Sequence, residues 1–290
     1  MRSFDCYNPI AVTVCLMGGA AIAMFSMNPV ILVLSFASAL VYCLIRNGFK
    51  DKGFHLFSLL FFIVMAVVNP LFNHNGVTVI FIMNDNPVTL EALIYGIFSA
   101  LMIISVLYRF RSFTEIMTSD KLLYIFGALS PTLSLILSMS LRFVPLFGRQ
   151  LKKTENSRKA LGLYKDDNII DRMKGRLQVF SILITWGLEN GIVTADSMTA
   201  RGYGTGKRTS YSLFRWRSRD VLLLISSAVL TALALFGLSM TGGSYYPYFS
   251  FPETDAGSIT AYISYGILVF LPSIIEIKEA LRWKFSELKI

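Results

Sequence analysis

The chain holds several uninterrupted apolar stretches, and each is long enough to cross a lipid bilayer. A helix needs about 20 apolar residues to do so. Backbone groups in hydrocarbon must form their hydrogen bonds within the protein, so only helices and closed barrels span membranes. These stretches are continuous rather than alternating, which favours helices. Charged residues make up 16% of the chain, against about 25% in soluble domains. The sequence therefore predicts an all-α polytopic membrane protein.

Six spans are predicted, and the connections between them alternate in charge. The spans cover residues 10–26, 28–46, 54–72, 90–109, 219–239 and 258–276. Basic residues such as Arg46, Arg109 and Lys278 follow or close the second, fourth and sixth spans, whereas the other three connections contain no Lys or Arg. The positive-inside rule then places both termini and residues 110–218 in the cytoplasm, with the chain in the cell membrane. Residues 1–112 and 219–290 are thus predicted to form transmembrane helices.

Residues 113–218 differ from the rest, because basic side chains are frequent there while the apolar spacing stays helical. The apolar part 122–147 contains Pro131 and Arg142. It favours a helix on the membrane surface followed by one that enters the cytoplasm, although two short extra crossings would preserve the topology. After a break near 162–168, the spacing predicts a helix of about 30 residues ending at Thr199. Two long amphipathic helices need cover for their apolar faces, and a partner's groove is one way to provide it.

Two connections on the side without basic residues have features of their own. Residues 77–83 are apolar and β-branched, and an Asn-Asp-Asn-Pro sequence at 84–87 follows them, which favours a short hairpin or an interfacial strand. Residues 244–252 are rich in Tyr and Phe, as is the aromatic belt at a membrane interface.

Sequence motifs for catalysis and nucleotide binding are missing. Residues 202–209 look like a phosphate-binding loop, but Arg201 occupies the position of its first Gly and Arg208 that of its Ser or Thr. HExxH and GxSxG are absent as well, and the two histidines, His55 and His74, are far apart in sequence. We therefore predict a chain that is not an enzyme and holds no metal or cofactor. Its basic residues follow the membrane topology rather than forming a patch on a soluble fold, so we expect no nucleic-acid partner.

Arg201 ends the long predicted helix and is followed by Gly202, a residue suited to the position after a helix C-cap. One interpretation is a cation that interacts with the helix dipole, worth up to about 1 kcal/mol. The other is a guanidinium on a helix tip that pairs with a partner's carboxylate. Composition alone favours the first interpretation, since cations are common at helix C-termini.

Three segments resemble the T component, the transmembrane coupling subunit, of energy-coupling factor transporters, a family that serves vitamin and cobalt or nickel uptake. The first is Asn-Pro-Leu-Phe at 69–72 with His74, Gly76, Thr78 and the Thr-Leu-Glu sequence at 89–91. The second is Leu-Arg-Phe-Val-Pro-Leu at 141–146. The third and most specific is Ala-Asp-Ser-Met-Thr-Ala-Arg-Gly-Tyr-Gly at 195–204, followed by Lys-Arg-Thr at 207–209.

The resemblance implies a set of partners and a mechanism. Two ATP-binding-cassette ATPase subunits would dock on the cytoplasmic helices, and a small membrane S component would bind the substrate, so ATP is bound by the partners. The helices would transmit the motion of the ATPases and topple the S component within the lipid bilayer. Carried over to this sequence, Ala200, Arg201 and Gly202 form the second Ala-Arg-Gly motif, which contacts an ATPase groove.

The first such motif departs from the family pattern, because Ala160, Leu161 and Gly162 stand where Ala-Arg-Gly is expected. Arg158 lies three residues before Leu161 on nearly the same helix face, and it is a candidate to replace the missing cation. A self-contained secondary transporter is the alternative function. It would have internal repeats around a site in the midplane of the membrane, and no convincing repeat relates the two halves of this sequence.

Overall fold

The computed structural model of this chain describes residues 4–48, 51–73, 76–83, 86–162, 169–206, 214–240 and 256–287. Within these ranges, nine α-helices follow a 3-10 turn at Phe4–Cys6: α1 Pro9–Phe25, α2 Pro29–Asn47, α3 Lys52–Phe72, α4 Leu90–Ile116, α5 Ser119–Leu129, α6 Pro131–Ala160, α7 Ile169–Ala200, α8 Ser218–Met240 and α9 Ala256–Glu287. Strands β1 Val79–Met83 and β2 Asn86–Thr89 connect α3 to α4. The predicted all-α polytopic fold is confirmed, and α1, α2, α3 and α8 begin and end within two residues of predicted spans.

The chain divides into two compact units. Unit 1 comprises Met1–Leu122 and Phe214–Ile290, and unit 2 comprises Leu123–Leu213. Several predictions concern residues outside the described ranges, namely those for His74, the Lys-Arg-Thr sequence at 207–209 and the aromatic segment 244–252.

The starts of several helices follow from local sequence. Asn8 and Asn28 each precede a proline that begins α1 or α2, and each side-chain oxygen accepts a hydrogen bond of 3.0 Å from the N–H two residues on. Asn is a preferred N-cap, and Pro suits the first helical position because its missing N–H would have no intrahelical partner there. Pro131 occupies the same position in α6, so it breaks the apolar run 122–147 as predicted.

In unit 1, α1 packs against α2, α4, α8 and α9. Its adjacent glycines permit the close approach. A Cβ atom on Gly18 would lie 2.9 Å from Oγ1 of Thr231 on α8, and one on Gly19 would lie 3.0 Å from Nη1 of Arg109 on α4. Small residues let transmembrane helices approach closely. Close van der Waals packing stabilises their association, because the hydrophobic effect between helices is weak in lipid.

The surface of unit 1 is strongly apolar on α3. This helix packs against α4, but of its own residues only Ser58 and Pro70 are buried. Leu56, Leu60 and Val67 are each more than half exposed. An apolar surface of this extent suits hydrocarbon rather than water.

Length and apolarity admit seven of the described helices as candidates to cross a membrane: α2, α3, α4, α6, α7, α8 and α9. This set adds α6 and α7 to the predicted spans and omits α1, whose 17 residues are at the short end of spanning helices. The prediction of six spans, with α6 and α7 outside the hydrocarbon, therefore stays a prediction.

The position of Arg109 corrects one detail of the sequence analysis. The fourth span was predicted to end at residue 109, but α4 continues to Ile116 and Arg109 is buried. Its Nε and Nη2 atoms donate to the hydroxyls of Ser35 and Ser38 on α2, at 3.4 and 2.9 Å. A buried cation is tolerated where hydrogen bonds replace its hydration, so this residue belongs to the helix packing and not to a connecting loop.

Two further arginines near helix ends are paired with acids. Arg46, in the last turn of α2, lies 3.0 Å from Asp5 and 3.3 Å from Glu115. Arg111 forms ion pairs with Asp51 and, at 3.4 Å, with Glu115. These pairs join the N-terminal turn, the α2–α3 connection and the end of α4.

The predicted hairpin is present, since β1 and β2 pair in antiparallel orientation. It is fixed to the start of α4 by Glu91, whose carboxylate accepts hydrogen bonds from the backbone N–H and the hydroxyl of Thr78, at 3.2 and 2.7 Å. Gly76 has a φ of 151° and leaves no room for a side chain, because its Cβ would lie 2.6 Å from Oε2 of Glu91. Three residues of the family-like segment thus meet at one place.

Gly237→Ala is expected to destabilise the packing of α8 on α9. The added Cβ would lie 2.7 Å from Cβ of Ala261 and 2.8 Å from the carbonyl oxygen of Gly257. Overpacking of this kind costs about 1–3 kcal/mol, so the melting temperature of the detergent-solubilised protein should fall. Gly266→Ala is the matched control, because its nearest neighbour would be Leu34 Cδ1 at 4.0 Å. An equal fall in both variants would contradict the assignment of Gly237 to a tight contact.

Candidate functional site

Unit 2 is built around α6 and α7, which have 30 and 32 residues. The predicted long helix is confirmed and ends one residue later than expected, at Ala200. The two helices meet where the ring of Phe147 packs edge-on against Trp186, with centroids 5.5 Å apart. At the next residue, a Cβ on Gly187 would lie 2.7 Å from Cζ of Phe147. An aromatic ring set against a glycine therefore forms one close contact between the two helices.

The end of α7 is closed by a complete Schellman motif. Gly202 has a φ of 80°, and its N–H donates to the carbonyl of Thr199 at 2.9 Å, while the N–H of Tyr203 donates to the carbonyl of Met198 at 3.0 Å. These two bonds satisfy carbonyls that a helix end leaves without partners. Gly202 is thus the residue after the C-cap, as predicted, and Arg201 is the C-cap itself. The backbone under the Arg201 side chain is fixed, and the side chain is exposed.

The end of α6 also has a glycine with positive φ after the C-cap and the corresponding bond from its N–H, but a different side chain at the C-cap. Gly162 has a φ of 68°, and its N–H donates to the carbonyl of Lys159 at 3.1 Å. Leu161 is the C-cap residue and is 72% exposed. Leu161 and Arg201 therefore occupy equivalent positions, and the apolar side chain at one of them is a real difference between the two helix ends.

The two capped ends lie on opposite sides of the contact between Phe147 and Gly187. Phe147 is thirteen residues before Ala160, and Gly187 is thirteen residues before Ala200. At 1.5 Å per residue, each end is about 20 Å from the contact. The last part of α6 runs beside the first part of α7, because Arg158 bonds to residues near the start of α7. The end of α7 consequently points away from the end of α6.

Arg158 holds α6 against α7. Its Nη1 donates to the carbonyl of Gly175 at 3.1 Å, and its Nη2 donates to Oε1 of Gln178 at 2.7 Å. The predicted role of Arg158 as a substitute for an arginine at position 161 stays a prediction, and these contacts give its guanidinium a second role within the unit.

Arg158→Ala is expected to loosen the contact between α6 and α7. Hydrogen bonds from a charged donor in a partly exposed setting contribute about 1 kcal/mol, so we expect a fall of a few degrees in the melting temperature. A double-mutant cycle with Gln178→Ala measures the share that depends on their mutual contact. If Arg158→Ala leaves the melting temperature unchanged but prevents a partner from binding, Arg158 belongs to a partner-binding surface instead.

The charges of the two helix ends differ. Between Leu177 and Gly206, Arg201 is the only basic residue. The second half of α6 is rich in basic residues, namely Arg149, Lys152, Lys153, Arg158 and Lys159. The last half of α7 therefore contains one cation, at its C-cap, whereas the last half of α6 is basic but has no cation at its C-cap.

Two features of this site were missed in the sequence, and both leave a signal there. Residues 154–162 and 194–202 share Thr, Ser, Ala and Gly at the same spacing, reading Thr-Glu-Asn-Ser-Arg-Lys-Ala-Leu-Gly and Thr-Ala-Asp-Ser-Met-Thr-Ala-Arg-Gly. This nine-residue repeat marks the equivalence of the two helix ends. The aromatic residue and the glycine at the contact precede the two copies by the same number of residues.

The side chains that could bind a metal ion are dispersed among the described residues. Among the described residues, no three His, Cys, Asp or Glu side chains lie close enough together to hold a metal ion. Cys15 and Cys43 are buried and Cys6 is exposed, all three as free thiols. The Nδ1 atom of His55 forms a hydrogen bond with the hydroxyl of Tyr108 at 2.8 Å. Cys15, Cys43 and His55 thus belong to the packing of unit 1.

Several known proteins are similar in sequence to this chain. The energy-coupling factor transporter transmembrane protein of Listeria innocua is 39% identical over 103 residues, which are 35% of this chain and 39% of that protein. The protein of the same name from Lactococcus lactis is 32% identical over 105 residues, covering 36% of this chain and 40% of its own length. The alignments thus span about two fifths of these two relatives. The protein of that name from Thermotoga maritima is 25% identical over 221 residues, covering 73% of this chain and 81% of its own.

Residues 8–211 match the protein family described as cobalt transport protein, CbiQ. The matched region takes in α1 to α7, including both capped helix ends. Because it covers well over half of the chain, this protein belongs to the cobalt transport protein family and is a transmembrane component of the energy-coupling factor type.

Proposed function

We propose that this chain is the coupling subunit of an ATP-driven uptake transporter. In this proposal two ATP-binding-cassette ATPase subunits dock on α6 and α7, and a small membrane S component binds the substrate, a vitamin or a transition-metal ion. The relatives are named as transmembrane proteins of energy-coupling factor transporters, which supports the proposal. ATP is bound and hydrolysed by the ATPase subunits, and this chain contributes neither a catalytic group nor a cofactor.

The observation that carries the proposal is the exposed Arg201 on a closed helix end. The Schellman bonds leave the backbone of residues 198–203 little freedom, so the guanidinium projects from a rigid base. Within the described ranges, no ion pair involves Arg201. A guanidinium pairs with a carboxylate through two parallel hydrogen bonds, which fixes orientation as well as affinity. We assign Ala200, Arg201 and Gly202 to one ATPase subunit, and Ala160, Leu161 and Gly162 to the other.

The apolar stripe of α7 supports a second contact. Its members recur at helical spacing and are each at least 46% exposed: Ile170, Met173, Leu177, Phe180, Ile184 and Leu188. A helix in contact with water normally has its apolar face covered, and a stripe of this length is therefore expected to contact another surface. We assign it to the membrane surface and the S component, so that movement of the helix ends reaches the substrate-binding partner. Both termini and unit 2 lie in the cytoplasm in this arrangement.

The experiment is purification of the tagged chain from its native membranes in mild detergent, with mass spectrometry of the proteins that accompany it. Recovery of ATPases with Walker motifs and of a small membrane protein supports the proposal, and the small protein identifies the substrate class. A chain that is recovered alone and transports a solute when reconstituted alone overturns the proposal in favour of a secondary transporter.

A further inference from the structure

The chain passes between the two units at two links, one after Leu122, within helix α5, and one before Phe214. Beside each link, a buried charged side chain of unit 1 bonds to the backbone of the same short stretch, residues 4–8. We call this stretch the N-terminal segment. Two links that are more than 90 residues apart in sequence therefore share one anchoring point.

Lys121 fixes the first link. It lies in the first turn of α5, one residue before the link, and is 6% exposed. Its Nζ donates to the carbonyl of Asp5 at 2.9 Å and to the carbonyl of Ile116, the last residue of α4, at 3.1 Å. Burial lowers the pKa of the Lys121 ammonium, which reflects the cost of placing the charge there. The start of α5 is thereby tied to α4 and to the N-terminal segment at once.

Asp220 fixes the start of α8, just after the second link. It lies in the first turn of α8 and is 4% exposed. Its Oδ1 accepts a hydrogen bond from the N–H of Asn8 at 3.2 Å, and its Oδ2 accepts one from the N–H of Arg217 at 3.0 Å. One carboxylate thus joins the returning chain, three residues after Phe214, to the N-terminal segment.

The N-terminal segment is itself held by the helices of unit 1. The Phe4 side chain is fully buried, and its ring packs against that of Tyr42 on α2, with centroids 6.3 Å apart. The Asp5 carboxylate pairs with Arg46, which also pairs with Glu115 on α4. Its position is therefore set by α2 and α4 together.

We propose that the N-terminal segment is a clamp that holds the unit 1 side of both links on the membrane helices, and that Lys121 and Asp220 are the positioning residues of this clamp. Stability alone does not explain them, because replacing buried ionic groups by well-packed apolar residues is often neutral or stabilising. What the charges add is a defined geometry at the two points where the chain leaves and re-enters unit 1. This inference rests on the proposed function, since a coupling subunit needs links that transmit motion rather than absorb it.

The test measures the spread of distances between the units in the purified complex. One spin label replaces Ile192 on α7 and a second replaces Ile225 on α8, two exposed positions, in a Cys6→Ser background that removes the exposed native thiol. We expect one narrow distance distribution in the parent protein that shifts when ATP and vanadate are added. Lys121→Met and Asp220→Asn should each broaden it by roughly twofold or more, because local anchoring is lost. Lys278→Met makes the same change at an exposed site of α9 and should leave the width unchanged.

Rescue separates positioning from general stability. Lys121→Arg keeps the charge and should restore a narrow distribution, whereas loss of an ordinary packing contact would lower the melting temperature without broadening the distribution. A parent distribution that is already broad, or clamp variants as narrow as the parent, would overturn the clamp. Absence of ATPases from the purified parent protein would overturn the proposed function instead, and the two failures are therefore distinguishable.

Discussion

Arg201→Glu is expected to abolish binding of an ATPase subunit at the end of α7, while the chain still inserts into the membrane. The substitution replaces the only basic residue between Leu177 and Gly206, so the closed end of α7 loses its cation. Loss of a close charge pair at an interface costs about 2–5 kcal/mol, and reversal adds repulsion, so affinity should fall at least about 100-fold. The measurement is the amount of ATPase recovered with the tagged chain, together with ATP-dependent uptake.

Arg176→Glu is the matched control for this result. It makes the same charge reversal on the same helix, at an exposed position in the basic first half of α7. We expect ATPase recovery close to that of the parent protein. Normal recovery and uptake with Arg201→Glu would end the assigned role of Arg201, and equal loss in both variants would point to general electrostatics rather than to the helix end.

Gly187→Leu is expected to block transport while leaving both ATPase-binding ends intact. A side chain at this position collides with the ring of Phe147, because even its Cβ would lie 2.7 Å from Cζ. The helices must then separate or change their angle, and the two capped ends change their mutual distance. Overpacking costs about 1–3 kcal/mol, which corresponds to a loss of uptake of roughly fivefold to 150-fold when it falls on the active arrangement. Uptake and ATP hydrolysis measured on the same proteoliposomes test this.

Gly191→Leu provides the control one helical turn later, where a Cβ would meet nothing within 4 Å. This variant should behave like the parent. Phe147→Ala should partly rescue Gly187→Leu by making room at the contact, and a double-mutant cycle measures the coupling. If the rescue fails and Gly191→Leu is equally defective, bulk on α7 is the cause and the contact with α6 is not.

The helices of this fold follow from sequence to a large extent. Apolar stretches placed α1 and α2 within two residues, and apolar spacing placed α7 within one. The glycine after Arg201 predicted the closed end of α7, because only residues that tolerate positive φ fit there. Apolar spacing and helix capping depend on residues that are close in sequence, so they can be predicted from the sequence.

What sequence did not supply depends on contacts between distant segments. Arg109 looked like a loop cation because the apolar run ends there, yet two serines on another helix let it remain buried. Arg158 looked free to meet a partner until its bonds to α7 were known. The role of Lys121 depends on the carbonyl of Asp5, more than 100 residues away in sequence. Pairings of this kind are set by tertiary packing and not by spacing.

The contacts between α6 and α7 make them an antiparallel pair that is fixed at two points. One point is the Phe147–Gly187 contact, and the other is Arg158, which bonds to Gly175 and Gln178 close to the end of α6. Past the first point, α7 continues for thirteen residues to Ala200, so a rotation of about 10° there moves its capped end by about 3.5 Å. A torque applied at the leucine tip of α6 is therefore passed to α7 and does not turn α6 alone, and the arginine tip of α7 is where the displacement is read out.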